Sequence, residues 1–155
     1  GIERCIAENI IAEIGVDMGQ YPSSAHIASW GGICPGNNES AGKHKSGKTP
    51  KGNRWLRRAL GEASWAASKT KNTYLAAQYH RIMLRRGKKR AIVAVSHTIL
   101  TVCYHMLKEK KDYQDLGPDH FIRLNPEKYK RYHIRKLEKL GYEVTLKASN
   151  LHKAA

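Results

Sequence analysis

A basic, glycine-rich stretch in the first third of the chain carries the side chains best suited to chemistry. It contains seven Lys and Arg and no Asp or Glu between residues 43 and 58. Cations spread in this way can replace the counterions of a nucleic-acid backbone, and small residues between them let that backbone come close. We predict phosphate contacts for Lys43, Lys45, Lys48, Lys51, Arg54, Arg57 and Arg58. Composition alone is equally typical of a solvated basic loop.

Ser40 lies just before these cations, beside Ala41 and Gly42, which leave its hydroxyl little hindered. A serine that attacks a phosphodiester builds negative charge at phosphorus, and nearby Lys and Arg stabilise that charge. Ser40 is therefore the candidate nucleophile. Glu39 and His44 are neighbouring groups able to accept its proton, but their spacing does not favour either. We therefore expect activation to come from outside this chain.

Other chemistries fit the sequence less well. Residues 42–49 match the G-x-x-x-x-G-K-[ST] pattern of a nucleotide-binding loop, which requires a preceding strand and a helix that starts at its Lys-Thr end. Pro50 and Gly52 follow that end, so we predict no nucleotide site. The eight His are scattered without metal-ligand spacing. Asp112, Asp115 and Asp119 occur in a turn-rich stretch, which favours capping and turn roles, so we predict no metal site in this chain.

The strong excess of basic over acidic residues in the 155-residue chain favours a nucleic-acid partner. The formal net charge is +15 and the pI about 9.9, and the basic residues do not share one face of a helix as in membrane-surface proteins. The longest apolar run, residues 91–95, is too short to span a bilayer, and the mean hydropathy is −0.61. Three widely spaced Cys indicate a reducing cytosol. The first residues, Gly-Ile-Glu, lead us to expect a piece of a longer protein.

Helical periodicity predicts an all-α fold. The expected helices cover residues 3–14, a short stretch capped by Ser23 or Ser24 that ends at Trp30, a stretch capped by Asn53 with its apolar face over 56–67, and residues 73–86, 88–109 and 126–140. Polar residues interrupt the apolar stripe of 88–109, so we expect a buried core helix there. A long loop covers 31–52, and one short extended segment covers 142–146. We expect one compact domain over residues 1–110 and a helical C-terminal extension over 111–155. Six basic residues between Arg81 and Arg90 suggest either a phosphate-facing turn or a solvated one. Trp65 favours an ordinary tertiary contact over base stacking.

The chain also resembles a known family over nearly its whole length. The resemblance is carried by Gly1-Ile2, Ile11-Ala12-Glu13-Ile14-Gly15, Tyr21-Pro22-Ser23, Ala28-Ser29-Trp30-Gly31-Gly32, Pro35, Ser40-Ala41-Gly42-Lys43, Gly47, Lys51-Gly52-Asn53 and Leu56-Arg57-Arg58-Ala59-Leu60. Residues 91–95, Leu116-Gly117 and Gly141-Tyr142-Glu143-Val144 extend it. In order and spacing these residues resemble the C-terminal transposase domain of the insertion-sequence 110 (110/116/902) family.

The resemblance implies a DNA-recombining enzyme that forms a covalent phosphoserine link. Ser40 takes the position of the family's serine, with Ala41 where glycine is commoner. A RuvC-like N-terminal domain that binds Mg²⁺ would complete the site, a bridge RNA would select the DNA, and the full-length protein would be a homo-oligomer in a prokaryotic cytoplasm, at the nucleoid. Without the RuvC-like domain the chain is expected to be inactive.

Two readings compete with this one. The first is a non-catalytic module that binds DNA or RNA and promotes assembly. The second is a tyrosine recombinase, which we exclude because the sequence lacks the expected His-x-x-Arg-His run.

Overall fold

The computed structural model describes residues 2–36 and 38–147, which belong to two compact units. The first unit extends to Asp119 and the second begins at His120. The division expected from sequence, between residues 110 and 111, stays a prediction about domains.

The described residues are mostly helical, so the all-α prediction is confirmed. The first unit contains α1 (Arg4–Ile14), a 3₁₀ turn (Met18–Gln20), α2 (Ser24–Trp30), β1 (Asn38–Ser40), β2 (Lys43–Ser46), α3 (Arg54–Lys69), α4 (Tyr74–Arg86) and α5 (Lys88–Glu109). The second contains α6 (His120–Leu124) and α7 (Pro126–Glu138). Sequence analysis missed the 3₁₀ turn, the hairpin and α6, and residues 142–146 form no strand.

Capping side chains fix where α3 and α4 begin, at Asn53 and Thr73 as the sequence predicted. The Oδ1 atom of Asn53 accepts hydrogen bonds from the backbone N–H of Trp55 and Leu56, at 2.9 and 3.0 Å. The Thr73 hydroxyl accepts one from Ala76 at 3.3 Å. These bonds satisfy backbone donors that have no partner within the first turn of a helix.

The core of the first unit forms around α5, which packs against α2, α3 and α4. Val95, Ile99 and Leu100 of this helix are buried, and the hydroxyl of Ser96 lies 2.8 Å from that of Ser64 on α3. By length and composition alone α5 could cross a membrane. Its contacts with three helices are those of a core helix, as its interrupting polar residues predicted.

The two ends of the long loop meet backbone against backbone. A Cβ atom on Gly52 would lie 2.4 Å from the backbone of Gly31 and Gly32, and one on Gly32 would lie 2.7 Å from the backbone of Gly52. Gly32 also has a φ of +66°, which disfavours any other residue. No flexible side chain can move aside here, so glycine is required for the loop to close.

Gly52→Ala should therefore destabilise the protein. We expect a loss of about 2 kcal/mol in the free energy of unfolding, because inserted atoms must displace packed backbone. Urea denaturation followed by circular dichroism measures it. Gly47→Ala is the control, since a Cβ there meets nothing within 4 Å. Equal stability of the two variants would show that the loop ends do not meet as described.

Candidate nucleic-acid interface

Ser40 is the last residue of β1, immediately before the turn of an antiparallel hairpin. It pairs with Lys43 across the hairpin, and Ala41 and Gly42 form the two-residue turn with φ values of +51° and +71°. Positive φ at both positions is typical of the type I′ turn that suits the twist of paired strands. At Ala41 this conformation costs about 1 kcal/mol, so the candidate site stores backbone strain.

Near Ser40 the described residues supply a cation but no group placed to accept the proton of its hydroxyl. Ser40 is exposed, and directly paired residues in an antiparallel ladder place their side chains on the same face, about 5 Å apart at Cβ. The structure thus brings together Ser40 and Lys43. No described side chain forms a hydrogen bond with the Ser40 hydroxyl. The side chains of Glu39 and His44 lie outside the described residues.

Hydrogen bonds hold the base of the hairpin. The N–H of Gly36 donates to the carbonyl of Lys48 at 3.0 Å, and the N–H of Lys48 donates to the hydroxyl of Ser46 at 3.1 Å. Arg57 of α3 donates to the carbonyl of Pro50 at 3.1 Å and to the hydroxyl of Thr49 at 3.3 Å. The loop is therefore held at the N-terminal end of α3.

Asn53 adds a connection to α1. While its carbonyl oxygen caps α3, its amide nitrogen donates to the carboxylate of Glu13 at 2.6 Å. One side chain thus fixes both the start of α3 and its position beside α1. This second bond requires the tertiary packing of α1 against α3, and the sequence pattern predicted only the cap.

The predicted phosphate contacts differ in their surroundings. Lys43, Lys48, Lys51 and Arg54 are exposed, and within the described residues no carboxylate pairs with them. Arg58 pairs with Glu62 at 3.1 Å, but both side chains are more than half exposed, so the pair is weak and easily exchanged. Arg57 is half-buried and holds the loop. The backbone of Lys45 forms a β-bulge, and its side chain lies outside the described residues.

Residues 1–81 match the family model described as Transposase IS116/IS110/IS902 family. The match covers more than half of the chain and includes the whole hairpin, α3 and its anchoring contacts. The chain belongs to the IS116/IS110/IS902 transposase family. Comparisons with curated proteins and with solved structures found no match. Membership gives the chain a role in transposition, and hence in acting on DNA.

Trp55 is a surface residue of this transposase that sequence analysis did not single out. Its side chain is 60% exposed, and the guanidinium carbon of Arg54 lies 5.7 Å from its ring centroid. An exposed aromatic ring among cations can stack on a nucleic-acid base. The available signal was its position outside the apolar stripe of α3. Trp65 meets Tyr79 edge to face, with ring centroids 6.5 Å apart, so it makes the expected tertiary contact while 46% of its side chain stays exposed.

The residues of the nucleotide-loop pattern have another geometry in this transposase. Residues 43–46, in the middle of the pattern, form strand β2, and the next helix begins only at Arg54. The Lys-Thr end of the pattern therefore lacks the helix that a nucleotide-binding loop requires.

The acidic residues after α5 have structural roles where the structure describes their contacts. Asp115 accepts hydrogen bonds from the N–H groups of Tyr74, at 3.1 Å, and Gly117, at 2.7 Å, which confirms a capping and turn role. Partial burial raises the pKa of Asp115, but these bonds and one from the Tyr113 hydroxyl outweigh it and hold the pKa below its usual value. Among the described residues no three His, Cys, Asp or Glu side chains cluster as a metal site would require.

Proposed function

We propose that this chain supplies the serine nucleophile of a DNA-recombining transposase. The Ser40 Oγ atom attacks a DNA phosphorus, an Oγ–P bond forms, and the bond from phosphorus to one bridging oxygen breaks. The serine proton passes to a base, and the leaving DNA oxygen takes up a proton. The observation that carries the proposal is the exposure of Ser40 at a hairpin turn, directly opposite Lys43, within the family-matched range.

The cations around Ser40 have three roles: stabilising charge at phosphorus, binding flanking phosphates and anchoring the loop. Lys43 stabilises the charge that develops at phosphorus, because it is paired with Ser40 across the hairpin. Lys45, Lys48, Lys51, Arg54 and Arg58 hold the flanking phosphates. Arg57 holds the loop through Thr49 and Pro50, and thereby keeps the hairpin in position.

The proton acceptor for Ser40 is proposed to lie outside this chain. A serine hydroxyl needs a base or a metal to remove its proton at neutral pH. The family resemblance supplies a candidate, a RuvC-like domain with Mg²⁺ held by carboxylates. On this proposal the 155-residue chain alone does not recombine DNA. A bridge RNA selects the DNA, the subunits assemble as a homo-oligomer, and the protein acts in the cytoplasm at the nucleoid.

The second candidate function is a non-catalytic module that binds DNA or RNA and promotes assembly. It is favoured by the net charge of +15 together with the lack of any described hydrogen bond to the Ser40 hydroxyl. Both candidates predict salt-dependent nucleic-acid binding. Only the first predicts a covalent link.

The proposal is tested by trapping that link. Protein that carries both this chain and the RuvC-like domain is incubated with labelled DNA from the ends of the element and with Mg²⁺. We expect an adduct that survives a denaturing gel, and mass spectrometry of its peptides should place the DNA on residue 40. An adduct on a tyrosine, or recombination without any adduct, would refute the nucleophile.

Magnesium should have no effect on this chain by itself. Since its described residues hold no metal-ligand cluster, we expect 5 mM Mg²⁺ to shift the melting temperature by less than about 1 °C. Differential scanning fluorimetry with and without Mg²⁺ measures this, with Na⁺ at matched ionic strength as control. A specific stabilisation would contradict the proposed location of the metal in the RuvC-like domain.

A further inference from the structure

The net positive charge of this chain is concentrated in one segment, because that segment has few acidic residues. Residues 40–108 contain 16 of the 28 Lys and Arg but only one of the 13 Asp and Glu, so this segment alone accounts for the net charge of +15. Its one carboxylate, Glu62, pairs with Arg58. The loop and α3 hold only part of this charge.

A second basic cluster lies at the corner where α4 ends and α5 begins. Arg85 and Arg86 end α4, Gly87 turns the chain with a φ of +83°, and Lys88, Lys89 and Arg90 form the first turn of α5. We call these five cations the α4–α5 corner. All five are exposed, and in the described part of the chain no carboxylate pairs with any of them.

Helix packing places this corner at the same end of the unit as the start of α3. The hydroxyl of Ser96 on α5 lies 2.8 Å from that of Ser64 and 3.3 Å from the carbonyl of Leu60, both on α3. Further along both helices, Ala67 and Val102 line one apolar cavity. The two helices therefore run in the same direction.

The helix rise converts this alignment into distances. Arg54 lies about 9 Å along the axis of α3 from Leu60, towards the start of that helix. Lys88 lies about 12 Å along the axis of α5 from Ser96, again towards the helix start. The starts of both helices thus lie on the same side of their shared contact. The α4–α5 corner and the exposed Arg54 and Arg58 of α3 face solvent at one end of the unit.

Fold stability does not explain the three corner cations of α5, whereas Arg85 and Arg86 suit the C-terminal end of the α4 dipole. Lys88, Lys89 and Arg90 stand in the first turn of α5, where the helix dipole disfavours positive charge, and that turn contains no acidic residue. Five like charges over six residues also repel one another. Charges that oppose a helix dipole and repel one another, with no compensating contact in the fold, indicate a functional surface.

We infer that the α4–α5 corner is a second phosphate-binding surface, which extends the nucleic-acid interface from the loop across the start of α3. Its ligand is a phosphodiester backbone, supplied by duplex DNA or by RNA. The inference rests on the nucleic-acid binding proposed above. It adds to the proposed interface five cations that lie outside the loop and away from Ser40.

The test compares two charge-matched double variants of this chain. Lys88→Gln/Lys89→Gln removes two corner cations. Lys69→Gln/Lys71→Gln removes two exposed lysines far from the corner, at the C-terminal end of α3 and in the turn between α3 and α4. Fluorescence anisotropy measures the Kd for a 30-base-pair DNA duplex and for a single-stranded RNA, from 50 to 300 mM salt. For the corner variant we expect about tenfold weaker binding at 100 mM salt and a log–log salt slope shallower by about 1–2 units. The distal variant should change by less than about threefold.

Stability separates a binding role from a structural one. Because the removed charges oppose the dipole of α5, Lys88→Gln/Lys89→Gln should raise the melting temperature by about 1–3 °C. Weakened binding together with a lowered melting temperature would indicate a structural role and overturn the inference. Equal losses from both double variants would also overturn it, since they would reflect net charge alone.

The remaining outcomes distinguish this inference from the proposed function. If Lys43→Ala/Lys48→Ala weakens binding and the corner variant does not, the corner inference is wrong and the proposed interface stands. If unmodified protein binds neither nucleic acid, both fail. A loss confined to DNA or to RNA identifies the source of the backbone. Corner-dependent binding to phosphatidylserine vesicles without nucleic-acid binding would identify a lipid surface and overturn the inference.

Discussion

Ser40→Ala, in protein that also carries the RuvC-like domain, should abolish both strand exchange and the covalent protein–DNA adduct. The substitution removes the only atom that would bond to phosphorus, so we expect a loss of at least about 10³-fold, to the detection limit of the gel. DNA affinity should stay within about twofold, because an uncharged hydroxyl contributes little to an interface dominated by phosphate charge. Trapping on a denaturing gel and a binding titration measure the two effects separately.

Ser46→Ala is the matched control for this experiment. Ser46 lies in the same hairpin, and its hydroxyl accepts a local hydrogen bond from the N–H of Lys48. The variant should keep substantial activity and the adduct. An adduct that persists in Ser40→Ala, or that maps to Ser46, would show that the nucleophile is misassigned.

Nucleic-acid affinity should fall steeply as salt rises. If the loop and α3 neutralise about four to six phosphates, the logarithm of the association constant should fall with the logarithm of salt concentration at a slope of about −4 to −5 for duplex DNA. Replacing Lys43, Lys45 and Lys48 by alanine should make the slope shallower by about two to three units. Anisotropy titrations at four salt concentrations suffice to measure it.

A second triple variant controls for net charge. Lys69, Lys71 and Lys111 are exposed and lie outside the loop, and their replacement by alanine removes the same three charges. It should change the slope by less than one unit. A slope near zero in the unmodified protein, or the same slope in both triple variants, would remove the loop from the binding surface.

The sequence by itself determined those features that depend on neighbouring residues. Asn53 and Thr73 predicted helix starts because their side chains cap backbone donors two or three residues away. The apolar stripe of residues 88–109 predicted a core helix, since burial selects side chains at helical spacing. The order of motifs around Ser40 and Gly52 was sufficient to indicate the family.

The hairpin at Ser40 was decided by the tertiary structure. Its strands have three and four residues, too few for an alternating pattern, and Ala41 stands where a type I′ turn favours Asn, Asp or Gly. Backbone contact between Gly32 and Gly52 and the bonds from Arg57 close the loop below it. Gly32, Gly52 and Arg57 are too far along the chain from the strands for local sequence propensity to register their contacts. The residues of the strands themselves therefore gave no signal for the hairpin.

The position of the cations likewise required three dimensions. Sequence counts show how many Lys and Arg the chain contains, and helical spacing shows which face of one helix they occupy. Only the parallel packing of α3 and α5, in which Ser64 contacts Ser96 and Ala67 and Val102 line one cavity, places Arg54 and Lys88 at one end of the unit. Electrostatic attraction for a phosphate backbone depends on distances through space, and chain order does not specify those distances before the helices pack.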